Sequence, residues 1–160
     1  MNQMDTDKVI KTMEMMAQLE LEISELYKAC GEVWCQEAEL WSAIARAEVE
    51  HAKNITKMIQ ILKEKPQTFA IGRPITTIAI NTAIAGVKTN VGRLRKGELT
   101  RRQALFILRD VEQSLLESKY TEILKTNDLE YNDLVKEIMA QTEGHKKMLS
   151  RKIEESATAA

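Results

Sequence analysis

Five side chains that can bind a metal ion recur along the chain at helical spacing. Two of them, Glu48 and His51, form an E-x-x-H pair, and residues three apart in a helix lie on the same face. Carboxylate oxygens combined with neutral imidazole nitrogens suit iron, manganese or zinc. The sequence therefore predicts a carboxylate–histidine metal site formed by Glu20, Glu48, His51, Glu112 and His145.

Each of these residues interrupts the apolar stripe of a predicted helix. Glu20, for example, shares its helix face with Met16 and Ile23. A buried carboxylate normally pairs with a cation, shares a proton or binds a metal, because removing its charge from water costs several kcal/mol. Lys119 is the one basic residue near the facing stripes, and we expect its ammonium to extend to solvent. A divalent cation would satisfy the inward-facing carboxylates together.

Taken singly, each residue also has a structural interpretation. A glutamate on such a stripe is more often a boundary residue with its carboxylate in solvent, and a lone His145 is more often a hydrogen-bonded structural residue. The repetition favours the metal site. Glu20 precedes His51 by nearly the same number of residues as Glu112 precedes His145.

Composition and periodicity predict an all-α fold. The chain has 160 residues, about one domain, with two Pro, six Gly and few aromatic residues. An apolar stripe ending near Gly31 predicts a first helix over about 7–30. A second stripe predicts a helix of about thirty residues that stops before Pro66.

The remaining elements predict a four-helix bundle made of two hairpins. Hairpins over 7–64 and 100–154 are joined by a crossover over 66–97, which contains an apolar helix over about 76–95. Thr100 and Gln103 form a candidate capping box for the third bundle helix, whose stripe is expected to continue to Ile123. Asp128 is the candidate N-cap of the fourth bundle helix, and the terminal SATAA is expected to fray.

Together these residues resemble the rubrerythrin-like branch of the ferritin-like di-iron carboxylate superfamily. The resemblance rests on Glu20 followed by Tyr27, on the E-V-E-H-A segment at 48–52, on Glu112, and on the E-G-H segment at 143–145. It implies a ferritin-like bundle with one or two iron ions that react with peroxide or dioxygen. It also implies an external electron donor, and it makes Tyr27 a candidate hydrogen-bond donor behind the ligands, although core packing is the more ordinary role.

The chain departs from the family pattern at two places. The family has a bridging glutamate one turn before its last histidine, where this chain has Gln141 and Thr142, and Glu143 points away from His145. The family's additional glutamate on the third bundle helix is replaced by Leu115. Three carboxylates leave two ferrous ions short of charge balance, so one ion would be well held and a second would need hydroxide, water or a rearranged ligand.

The net charge and the N-terminal segment limit the kinds of partner and the location that the sequence predicts. With 23 basic and 24 acidic residues, the chain offers no general attraction for nucleic acid or an anionic membrane. The N-terminal segment has no apolar signal region, so we expect a cytoplasmic protein. Cys30 and Cys35 fit neither a C-x-x-C redox pair nor a zinc knuckle, which favours two reduced thiols over a redox-active pair.

Three functions remain open. The first is a di-iron oxidoreductase of the peroxidase or ferroxidase type. The second is a degenerate bundle with a partial or absent metal site that serves as a metal-binding or interaction protein. The third is a structural helical adaptor. The apolar crossover helix and the Met-rich first helix also predict a homodimer.

Overall fold

The computed structural model describes residues 1–118 and 122–158, and it is mostly helical. Two short strands, β1 (Phe69–Ile71) and β2 (Leu124–Thr126), pair antiparallel. The all-α prediction is confirmed, with this two-stranded sheet as an addition. The helices of the described residues are α1 (Gln3–Val33), α2 (Ala38–Glu64), α3 (Thr77–Arg95), α4 (Arg101–Ser118) and α5 (Leu129–Thr158).

Helix α1 is longer than predicted at both ends. Asn2 caps its N-terminus by accepting a hydrogen bond from the backbone N–H of Asp5. The helix does not stop at Gly31, because that residue has no positive φ and the N–H of Trp34 still donates to the carbonyl of Cys30. Gly31 lies beside α2, where an added Cβ would make an ordinary van der Waals contact, 3.5 Å from the Cβ of Trp41.

The helices pack as two hairpins. The first hairpin consists of α1 and α2, which are joined by a single 3-10 turn (Cys35–Glu37) and pack along each other. The second hairpin consists of α4 and α5, which pack against each other. The hairpins meet where α2 contacts α5. Helix α3 packs on α1, burying Ile80 and Val87 and leaving Ile78 77% exposed.

Helix termini follow the predicted capping residues. Thr100 and Gln103 exchange hydrogen bonds between side chain and backbone in both directions, which confirms the capping box before α4. Asp128 accepts from the N–H of Tyr131 and opens α5, as predicted. Helix α3 ends at Arg95, and Gly97, two residues later, has a φ of 72°, the left-handed conformation that favours glycine.

The segment before α5 differs from the prediction. Helix α4 ends at Ser118, so Ile123 does not continue its stripe but lies just before β2. β2 pairs with β1 in the register that places Phe69 opposite Thr126. Helix α5 continues to Thr158, within the SATAA segment that was expected to fray, and that expectation stays a prediction. Every helix of the described residues is too short or too polar to cross a bilayer.

Candidate metal centre

All five predicted ligands point into the space between the helices. Glu20 lies on α1, Glu48 and His51 on α2, Glu112 on α4 and His145 on α5. The three glutamates and His51 are fully buried, and the His145 side chain is 15% exposed. The structure brings these five side chains together, and their binding of a metal stays a prediction.

The five side chains form two overlapping sets of three. Glu20, Glu48 and His51 place one ligand atom each within 4.8 Å of one another, and so do Glu48, Glu112 and His145. Glu48 belongs to both sets. Its Oε2 lies 3.0 Å from His51 Nδ1, and its Oε1 lies 2.8 Å from His145 Nδ1. One carboxylate is therefore positioned to bridge two adjacent cation sites.

Several atoms of the cluster face one another without forming hydrogen bonds. Glu48 Oε1, Glu112 Oε2 and His145 Nδ1 are buried and have no hydrogen-bond partner among the described residues. This holds although His145 Nδ1 is 2.8 Å from Glu48 Oε1 and 3.4 Å from Glu112 Oε1. Buried polar atoms are almost always hydrogen-bonded, so such atoms need an explanation. Lone pairs converging on a common cation provide one, and the donor set fits a transition metal.

The pKa shifts within the cluster allow protons on Glu20 and His51 to compensate the buried carboxylate charge. Burial raises the pKa of Glu20 to about 8. Burial by itself raises the pKa of Glu48 as well, but the adjacent imidazoles of His145 and His51 outweigh burial and hold that pKa at about 2. Burial by itself lowers the pKa of His51, but the neighbouring carboxylates of Glu20 and Glu48 raise it to about 11. Without a metal, the shared carboxylate therefore pairs with protonated imidazole.

Two polar side chains that are not candidate ligands, Tyr27 and Gln141, contact the candidate ligands. The hydroxyl of Tyr27 donates to Glu112 Oε1 at 2.5 Å. The Tyr27 ring is fully buried and stacks on Trp41 with ring centroids 6.1 Å apart, so this residue serves both core packing and hydrogen bonding. Its pKa is raised well above the usual value, by burial and by the nearby charge of Glu112.

The second contact comes from Gln141 on α5, whose Oε1 lies 2.8 Å from His51 Nε2. Sequence reasoning identified Gln141 only as a departure from the family pattern and missed this contact. A signal for it existed, because Gln141 lies one helical turn before His145 and so near the predicted ligands.

The remaining sequence expectations concern residues away from the five candidate ligands or outside the described part of the chain. Thr142 is buried, and its hydroxyl donates to the carbonyl of Ile138 on the preceding turn of α5. Glu143 lies 3.9 Å from Lys147 at the surface. Lys119 lies outside the described residues. Cys30 is buried and Cys35 exposed, and both are free thiols.

Fold and site together define a helical protein with a buried carboxylate–histidine cluster. Comparison with protein-family models, curated proteins and solved structures found no match to this chain. The geometry of the cluster is therefore the basis for inferring a function.

Proposed function

We propose that this chain binds two divalent transition-metal ions, with iron the best suited, at the cluster of Glu20, Glu48, His51, Glu112 and His145. The observation that carries the proposal is the pair of three-residue sets that share Glu48. A single-ion site would not need a second complete set. Manganese and zinc fit the same donors.

The charge of the cluster supports cation binding. Three glutamates lie in a region from which solvent is almost excluded, and ionised carboxylates there require compensation. The ion pairs that the described residues give Glu48 and Glu112 are with the imidazoles of His51 and His145. Metal ions would replace the protons of the two imidazoles, which are the cations that the structure provides.

We further propose a redox function on peroxide or dioxygen. Bound ferrous ions would supply one electron each, and hydrogen peroxide needs two electrons and two protons to become two water molecules. Tyr27 holds a proton on its hydroxyl beside Glu112, and burial keeps bulk water from the cluster. An external electron donor would return the ions to the ferrous state.

We place the chain, as part of this proposal, in the rubrerythrin-like branch of the ferritin-like superfamily. The support is the arrangement of two helical hairpins with a connecting helix between them, together with the residues Glu20, Glu48, His51 and Glu112 at the predicted positions. A homodimer is proposed through α3, whose Ile78 is largely exposed.

Metal analysis of protein purified without a histidine tag tests the proposal. The expected result is about two irons per chain, with a near-UV absorption that changes on addition of peroxide. Chelation should also lower the unfolding temperature, because a ligand bound only to the folded state stabilises it.

Two other results of the metal analysis would favour one of the alternative functions. One redox-inert ion per chain would favour the degenerate bundle. The observation that favours this alternative is that the residues four and three positions before His145 are Gln141 and Thr142, neither of which has a carboxylate. No metal, and no effect of chelator on stability, would favour a structural adaptor in which the cluster is a buried network of carboxylates and protonated histidines.

A further inference from the structure

We infer that Gln141 is a positioning residue that fixes the tautomer of His51 and so directs its Nδ1 lone pair toward the cation. The inference rests on the proposed metal-binding function. It assigns a role to a residue that otherwise marks only the absence of a family glutamate.

The two ring nitrogens of His51 face different partners. Nδ1 lies 3.0 Å from Glu48 Oε2 and 3.8 Å from Glu20 Oε2, within the first set of candidate ligands. Nε2 lies on the other edge of the ring, 2.8 Å from Gln141 Oε1. A carbonyl oxygen only accepts hydrogen bonds, so Nε2 must carry the proton. A neutral imidazole with its proton on Nε2 has its lone pair on Nδ1.

The orientation of the Gln141 amide has its own support. Its Nε2 faces Oε1 of Glu137 on the preceding turn of α5, at 3.5 Å. A carboxylate accepts but does not donate, so it favours the amide NH₂ on that side and the amide oxygen on the His51 side. The contacts thus run from the exposed Glu137 through Gln141 to the buried His51.

The hydrogen bond from His51 to Gln141 is expected to increase the affinity for a metal ion. Histidines that bind metals usually donate their other N–H to a protein acceptor, which fixes the ring and its tautomer. Loss of the acceptor typically lowers metal affinity about 10- to 100-fold. Gln141 comes from α5 whereas His51 belongs to α2, so the contact also joins the two hairpins at the cluster.

Zinc-loaded protein labelled with ¹⁵N-histidine tests the inference directly. The chain has two histidines, so the long-range ¹H–¹⁵N spectrum contains two rings, and a His145→Gln sample assigns them. In the unmodified protein we expect the His51 ring to carry its proton on Nε2 and to bind zinc through Nδ1. Zinc bound through Nε2 would overturn the inference.

Two substitutions extend the test to affinity. Gln141→Leu should weaken zinc binding by about 10- to 100-fold in competition with a chromophoric chelator. Gln141→Glu keeps an acceptor and should retain the Nε2 proton. The matched control is Gln60→Leu, which removes an exposed glutamine that bonds Glu64 far along α2 and should leave affinity unchanged.

The results separate this inference from the proposed function. No zinc uptake by the unmodified protein would refute metal binding itself. Zinc uptake with unchanged affinity and tautomer in Gln141→Leu would refute the role of Gln141 and leave the metal site standing. Circular dichroism of each variant ensures that only folded protein is compared.

Discussion

Replacing Glu48 by glutamine should abolish both proposed metal sites at once. Glu48 supplies one of three ligands to each set, whereas Glu20 and Glu112 belong to one set each. We therefore expect about two ions per chain in the unmodified protein, about one in Glu20→Gln and in Glu112→Gln, and none in Glu48→Gln. Inductively coupled plasma mass spectrometry after loading and gel filtration gives these ratios.

The same substitution has a stability consequence of predictable size. At a free metal concentration of 100 times Kd, one site stabilises the folded state by about 2.7 kcal/mol. For a domain of this length, that corresponds to a rise in unfolding temperature of roughly 5–10 °C. Glu48→Gln should show no such rise. In the metal-free protein it should cost roughly 3–5 kcal/mol, because two imidazoles held by Glu48 lose their buried counter-charge.

Glu50→Gln is the matched control on the same helix. Its side chain is 58% exposed and pairs with Lys53, so the change should alter stability by no more than about 0.5 kcal/mol and leave metal content unchanged. The reasoning is refuted if Glu48→Gln retains two ions. It is also refuted if Glu48→Gln and Glu20→Gln lose the same number, because Glu48 would then not be shared.

Three further predictions concern other parts of the molecule. Tyr27→Phe removes the donor to Glu112 Oε1 and should cost about 1–3 kcal/mol in urea unfolding, since the buried oxygen loses its partner. Glu37 has its pKa lowered to about 2 by hydrogen bonds to Arg101 and Lys152, so its contribution to stability is present above about pH 4.5 and is lost as pH falls toward 2. Glu37→Gln should flatten the acid limb of the stability curve in that window. Gly97→Ala should cost about 1–2 kcal/mol, because its φ of 72° is unfavourable for a residue with a Cβ.

Each of these has a control within the chain. Tyr131→Phe alters another buried tyrosine, which packs edge-on against Phe69, and should cost less in urea unfolding than Tyr27→Phe. Glu39→Gln removes an exposed acid near Glu37 and should alter stability at neutral pH by no more than about 0.5 kcal/mol. Gly92→Ala lies inside α3 with open space around its Cβ, so it should stabilise the protein by about 0.5–1 kcal/mol. Equal effects of Gly92→Ala and Gly97→Ala would contradict the argument from backbone conformation.

The sequence by itself determined the helices and which of their faces are buried. Residues three and four apart share a helix face whatever surrounds the helix, so Glu20, Glu48 and His51 could be placed on inward stripes from spacing alone. The caps at Thr100 and Asp128 were predicted for the same reason, because their hydrogen bonds span only three residues.

Only the tertiary structure decided how the stripes align with one another. The sharing of Glu48 between two ligand sets depends on the axial position of each helix, to within about an ångström, and periodicity within one helix does not contain that information. The contact of Gln141 with His51 joins helices far apart in sequence, as does the pairing of Phe69 with Thr126. Such contacts follow from packing of the whole core, which fixes distances between elements that local spacing leaves free.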